Sequence, residues 1–249
     1  MTTLFISDLH LDQSRPIVTA AFERFMEIMA PNCDALYILG DFFEVWIGDD
    51  DDCPFNARIV KLLQQFTNSG GLLYFMVGNR DFLIGDDFAS RSGATLLEDP
   101  TVIDLNGTPT LLMHGDSLCT DDTDYMSFRL QARSPLWQEQ LLSQPLAARR
   151  EIARQLREQS QSMNSLKADD IMDVNHSEVA RVMSEANVSR LIHGHTHRPE
   201  VHRLEGEKER MVLGDWHDNL WWIQASANGD LTLNKRSIND DLSNLNATR

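Results

Sequence analysis

The sequence predicts an α/β fold built around a buried sheet, on three observations. Short apolar runs alternate with helix-patterned stretches through the first two hundred residues. Each run ends in a polar residue of metal-ligand type followed by loop, with a glycine beside it in all but the first. Beyond Pro199 the pattern changes to short alternating runs split by turn residues. With 249 residues, 42% of them hydrophobic, the chain can bury one full core and is read as a single domain over 1–249.

Taken in order, TLFISDLH (3–10) reads as a strand and Ile17 to Met29 as a helix with one apolar face. ALYILGD (35–41) and LLYFMVGNRD (72–81) are strands separated by a helix over Ala57 to Phe66. TPTLLMHGD (108–116) and SRLIHGHTH (189–197) are two more. VHRL, ERMVLGDW, LWWIQAS and LTLNKRSI follow, with Asn228-Gly229 as one turn, and are expected to close the sheet as antiparallel strands. The last dozen residues, rich in Asn, Asp and Ser, read as a frayed tail.

From Tyr125 to Ala168 there are seven basic residues against three acidic ones, net +4 within a chain of net charge −16. Leu146, Ile152, Leu156 and Met163 give the stretch a helical pattern, so residues 123–170 are read as a helical insertion. The overall acidity disfavours a nucleic-acid partner, which needs a basic footprint. An anionic substrate remains open, because divalent cations reverse the local field. No apolar run reaches the ~18 residues of a spanning helix. The N-terminus lacks a basic n-region, and Cys33, Cys53 and Cys119 form no CxxC pair. A cytoplasmic chain is expected.

The chemistry gathers at the run ends: Asp8 and His10, Asp41, Asn79, His114, and His195 with His197. Asp8 and His10 are two apart and would share a face of an extended backbone. Ligands in open α/β sheets collect beyond the carboxyl ends of strands. A mixed oxygen and imidazole set without thiolate suits Mn, Fe or Zn. Seven ligands exceed one ion with an open position and suit two ions sharing a carboxylate, for which Asp41 is the natural bridge. His176 and His202 lie outside the pattern, and His193 reads as an interior histidine. His217 is left between a partner to a ligand and an ordinary residue. The run Asp49–Asp52 is left between a calcium site and a solvated loop.

Together, DLH (8–10), GD (40–41), GNRD (78–81), HGD (114–116) and GHTH (194–197) resemble the signature of the calcineurin-like metallophosphoesterases. The resemblance implies a β-sandwich flanked by helices. It also implies one ion held by Asp8, His10, Asp41 and His197, and a second by Asp41, Asn79, His114 and His195. Asp41, Asn79, Arg80 and His195 are implied to be catalytic. Where the family pattern has GNH, this sequence has Arg80. A histidine there can give a proton to an alkoxide, and an arginine cannot. Arginine can still stabilise charge on a transferring phosphoryl group. The substitution therefore points to a leaving group that is itself a weak base, such as a sugar phosphate departing from a pyrophosphate.

LYILGDFFEVWIGDDD (36–51), HGDSLCTDD (114–122) and IMDVN (171–175) extend the resemblance to the branch of that family acting on UDP-diacylglucosamine glycolipid. This implies two Mn2+ ions and water attack on the α-phosphorus. It also implies peripheral association with the cytoplasmic face of the inner membrane. Substrate contacts are implied for Asn79, Arg80, Asp122, Ser160, Asn164, Lys167 and His195. The insertion then reads as a lid, with Leu136, Trp137, Leu141, Leu142, Leu146, Ile152 and Leu156 sheathing acyl chains and its arginines meeting anionic lipid or phosphate. The competing reading of the insertion is an ordinary packed hairpin. The competing functions are a phosphoesterase of soluble nucleotides or phosphodiesters, disfavoured by Arg80 and the acidity, and a non-catalytic relative, disfavoured by the complete ligand set.

Overall fold

The protein was analysed as a computed structural model, which describes residues 1–164, 171 and 173–240. Two sheets lie face to face between helices. The first has the order β11-β10-β1-β2-β3-β4, with β1 at Thr3–Ile6, β2 at Ala35–Leu39, β3 at Leu72–Met76, β4 at Ala94–Leu97, β10 at Asn219–Ala225 and β11 at Leu231–Ser237. The second has the order β5-β6-β7-β9-β8, with β5 at Thr101–Leu105, β6 at Thr108–Leu112, β7 at Arg190–His193, β8 at Glu200–Leu204 and β9 at Lys208–Val212.

The β1 run is continuously apolar because both its faces are covered. Leu4 and Ile6 pack with Phe22 and Phe25 of α1 (Pro16–Ile28) and with Ile59 and Leu63 of α2 (Pro54–Asn68). Phe5 turns the other way, to Leu112, Ile192 and Ile223 between the sheets. On the far side Leu111 and Leu191 pack with Val179 and Met183 of α7 (His176–Glu185). Both α1 and α2 begin with proline, whose fixed φ suits the first helical position.

The segments after Pro199 do not simply close one sheet. The β8–β9 hairpin joins the second sheet, where β9 lies parallel to β7, and the β10–β11 hairpin joins the first, antiparallel to β1. Alternation marks a strand and its buried face but not its neighbour. β4, β5, α3 (Asp86–Ser92) and α7 were not expected from the sequence.

The insertion is three helices: α4 at Thr123–Ala132, α5 at Pro135–Leu142 and α6 at Leu146–Asn164. Several of its arginines pair with carboxylates of the protein itself. Arg149 is only 3% exposed, pairs with Asp50 and donates to Ile47 O (2.7 Å). Arg150 pairs with Asp51 and Asp52, Arg154 with Glu151 and Glu158, and Arg157 with Glu44. Asp49 accepts from Trp46 Nε1 (2.9 Å) and from Phe88 N at the start of α3 (2.8 Å). The carboxylates of the run Asp49–Asp52 are thus taken by protein donors, and the run is where α6 docks. Lys167 and the tail from 241 lie outside the described residues.

Candidate metal centre

Five loops meet at one edge of the sandwich, three from the first sheet, after β1, β2 and β3, and two from the second, after β6 and β7. Bonds between and within the sheets hold them together. His195 N donates across the sheets to Asp8 Oδ2 (2.9 Å), and within the second sheet Gly194 N donates to His114 O (2.9 Å). His114 Nδ1 faces Leu39 O at 2.8 Å. A carbonyl only accepts, so Nδ1 donates to it and Nε2 is the nitrogen turned toward the ligand groups.

The backbone here is not extended. Asp8 (φ 57°), His10 (51°), Asp41 (49°), His195 (67°) and His197 (55°) are left-handed, a conformation sparsely populated by non-glycine residues. Such strain gathers at functional sites, where the surroundings over-determine the backbone. It also replaces the expected explanation for Asp8 and His10, because β1 ends at Ile6 and turns, not strand alternation, bring the two together.

Among the described residues, Asp8, His10 and His197 form one group with ligand atoms all within 4.8 Å of one another, and Asp41, His114 and His195 form another. Asp41 faces both, with Oδ1 3.6 Å from His114 Nε2 and Oδ2 4.0 Å from His10 Nε2. Asn79 Oδ1 completes the second group, 3.0 Å from His114 Nε2 and 2.9 Å from His195 Nδ1. All seven residues singled out in the sequence are therefore brought together.

The electrostatics fit cations. Asp8 Oδ1 is buried without a hydrogen-bond partner, 3.3 Å from His197 Nε2. Burial alone would raise the Asp8 carboxyl, but the His197 contact and the charges of His114 and His10 hold it well below the usual range. Burial would likewise depress His114, yet Asp41, Asp116 and Asp8 push it up to about 9. A buried imidazole driven to hold a proton marks uncompensated negative charge, the condition a bound cation relieves. The oxygen and nitrogen donor set suits a borderline or hard divalent ion. His195 is pushed down to about 4, by burial and then by His114, which keeps it in the neutral form that ligates.

Several supporting residues had no role in the sequence reading. Asp81 accepts from Gly78 N (2.7 Å) and Phe42 N (2.8 Å), stapling the Asn79 loop to the Asp41 loop. Arg15 donates to Leu9 O, His10 O and Trp216 O (2.9, 3.0 and 2.8 Å). Asp116 accepts from Tyr125 Oη (2.7 Å) and Arg129 Nε (2.9 Å), and Arg133 Nη2 donates to Gly78 O (3.1 Å), so α4 is fastened to the site. Glu44 lies beside His10. A charge set within an apolar run, as Glu44 is, was the available signal. His193 is buried between Gly194 O and Arg210, and His217 is exposed beside Asp218.

Beside the site is a cavity of about 280 Å3 between the core and the insertion. Asn79, Arg80 and Ser160 stand at its polar side, while Trp46, Phe82, Phe128, Leu141, Ile152 and Leu156 line it with apolar surface. Arg80 Nη2 reaches Ser160 Oγ (3.5 Å), and its buried Nε has no partner. Of the seven apolar insertion residues named from the sequence, Leu141, Ile152 and Leu156 line the cavity; Leu136 and Leu142 are exposed, at 71% and 40%. Asp122 caps α4, accepting from Tyr125 N (3.1 Å). Asn164 ends α6, but its side chain, like Lys167, lies outside the described residues.

Residues 1–199 match the family described as calcineurin-like phosphoesterase. The chain is 57% identical over 232 residues to UDP-2,3-diacylglucosamine hydrolase of Cellvibrio japonicus, covering 92% of this chain and 97% of that one. It is 52% identical over 243 residues to the protein of the same name from Marinobacter nauticus, covering 96% and 100%. With the Pseudomonas aeruginosa protein of that name it shares 51% over 232 residues, covering 92% and 97%.

Proposed function

This chain belongs to the calcineurin-like phosphoesterase family, and we propose that it hydrolyses the pyrophosphate of UDP-2,3-diacylglucosamine. Water attacks the α-phosphorus, the bond from that phosphorus to the bridging oxygen breaks, and UMP and 2,3-diacylglucosamine 1-phosphate leave. The observation that carries this reading is one continuous site, with two ligand groups sharing Asp41 at one end and an apolar cavity at the other. The relatives named for that substrate align along nearly the whole chain.

Asp8, His10, Asp41 and His197 would hold one ion, and Asp41, Asn79, His114 and His195 the other, both Mn2+. Two such ions supply Lewis acidity and a nucleophile available at neutral pH. The chain's own residues do the rest. Asn79 and Arg80 bind the pyrophosphate, with the unpartnered Arg80 Nε directed to charge that develops on phosphoryl oxygen. His195, kept neutral by burial, donates no proton to the leaving group. None is needed, because a phosphate monoester has a second pKa of about 6. Ser160, Asp122, Asn164 and Lys167 are proposed to bind the sugar and nucleotide.

The insertion at 123–170 serves as the lid over the acyl chains. Leu130, Leu136 and Leu142 stand exposed on it at 74%, 71% and 40%, which supports docking on the cytoplasmic face of the inner membrane through apolar contact, since its arginines are paired. No helix among the described residues is long and apolar enough to cross a membrane.

A direct comparison tests the reading. With Mn2+, kcat/KM for the diacylated nucleotide should exceed that for a dialkyl phosphodiester by at least about 10²-fold, because Arg80 cannot protonate an alcohol leaving group. Arg80→Lys should retain part of the activity, and Arg80→His should gain none on the pyrophosphate from its titratable group. Preference for the diester in the wild type would contradict the assignment. The cavity makes a separate prediction. Ile152→Trp should lower kcat/KM for the diacylated substrate roughly tenfold or more while sparing a soluble one, as misfit in an apolar pocket does. Equal losses on both would mean that the insertion is only structural.

A further inference from the structure

Glu44 is the single charge in the run Phe42–Ile47, and its side chain is only 15% exposed. Backbone pairing sets its position. His10 N donates to Asp41 O (3.0 Å), Leu11 N to Phe42 O (2.8 Å) and Glu44 N to Leu11 O (3.1 Å), so the first two ligand loops run side by side. Glu44 Oε2 then lies 3.2 Å from His10 Nδ1, a charge contact off the line of an ideal hydrogen bond. Its other oxygen, Oε1, lies 2.5 Å from Arg157 Nη2 on α6. At the opposite edge of the ring, His10 Nε2 looks toward His197 Nε2 (3.3 Å) and Asp41 Oδ2 (4.0 Å).

A neutral imidazole carries one proton and can ligate only through the other nitrogen. A carboxylate beside one nitrogen selects the tautomer protonated there and fixes the ring's orientation. We propose that Glu44 is a positioning residue, drawing the His10 proton to Nδ1 and so presenting Nε2 to the first ion group, while Arg157 holds Glu44 in place from the insertion. This gives α6 a second task besides covering the cavity, because the chain that seats the lid also steadies one ligand. The inference rests on the two-ion reading proposed above, and the experiment separates their failures.

Mn2+ is titrated into metal-stripped full-length wild type, Glu44→Ala and Glu44→Gln, and uptake is followed by electron paramagnetic resonance. Glu44→Ala should weaken one of two ions by about 10- to 100-fold, the range for losing such a partner, and leave the other unchanged. Glu44→Gln, whose amide oxygen still accepts from Nδ1–H, should recover most of the loss. Independently of any variant, 15N shifts of His10 in the Zn2+-loaded wild type should report a protonated Nδ1 and a ligated Nε2. Fewer than two ions in the wild type would sink the two-ion reading first. Two ions with neither or both weakened in Glu44→Ala, a Gln variant as weak as Ala, or ligation through Nδ1 would overturn the role of Glu44 while leaving that reading intact.

Discussion

Asp41→Ala is expected to lower turnover by about 10³-fold or more and to weaken both Mn2+ ions at once, since a shared carboxylate serves each. The geometry behind this is its two-sided placement, one oxygen toward His114 and the other toward His10. Asp41 Oδ1 also accepts from Arg80 N (2.8 Å), so the same side chain orients the residue proposed to bind the phosphoryl oxygens. Alanine is poorly suited to the left-handed backbone at φ 49°, and asparagine tolerates it. Asp41→Asn therefore separates charge from strain. It should keep the thermal stability of the metal-free protein but lose most of the affinity for both ions. His10→Ala is the contrast and should weaken mainly one. Metal analysis after gel filtration with a Mn2+ titration is sufficient, and two fully retained ions in Asp41→Ala would remove Asp41 as the bridge.

Gly78→Ala should be nearly as damaging, although glycine has no chemistry to lose. A Cβ at position 78 would overlap Asp41 Oδ1 and Asp41 N and sit 2.9 Å from Asp41 Cγ. Neither side can yield easily. Asp81 grips Gly78 N and Phe42 N together, and Arg133 holds Gly78 O. Overpacking of this kind costs about 1–3 kcal/mol. Displacing a reacting group by about 1 Å costs on the order of 10²-fold in rate. The expected result is therefore a roughly 10²-fold lower kcat with a reduced Tm. Gly107→Ala is the control, at φ +83° with nothing within 4 Å, so it should lower Tm slightly and leave kcat unchanged. A Gly78→Ala enzyme of normal kcat would show that the loop accommodates the methyl group and that the site is less rigid than its contacts imply.

The ligands were legible in the sequence because each is marked locally, by a polar residue closing an apolar run and, after the first run, by a glycine beside it, and the runs themselves fix strands and buried faces. The paired prolines and the Asn228-Gly229 turn are equally local. The rest depended on partners distant in the chain. Alternation could not say that β8–β9 and β10–β11 belong to different sheets, because a strand's hydrophobic face is encoded in its own residues and its neighbour is not. The net +4 of the insertion was visible, but not which carboxylates its arginines pair with. A cation's partner is chosen by proximity, and Arg149 meets Asp50 only after 99 residues of chain have been folded back. The left-handed turns at Asp8, His10, Asp41, His195 and His197 were hidden for the same reason. Asp and His enter that region more readily than most residues, but only contacts from both sheets at once compensate the strain. The sequence determined which residues could ligate and at which end of the sheets they gather; the packing of two sheets decided how they face one another.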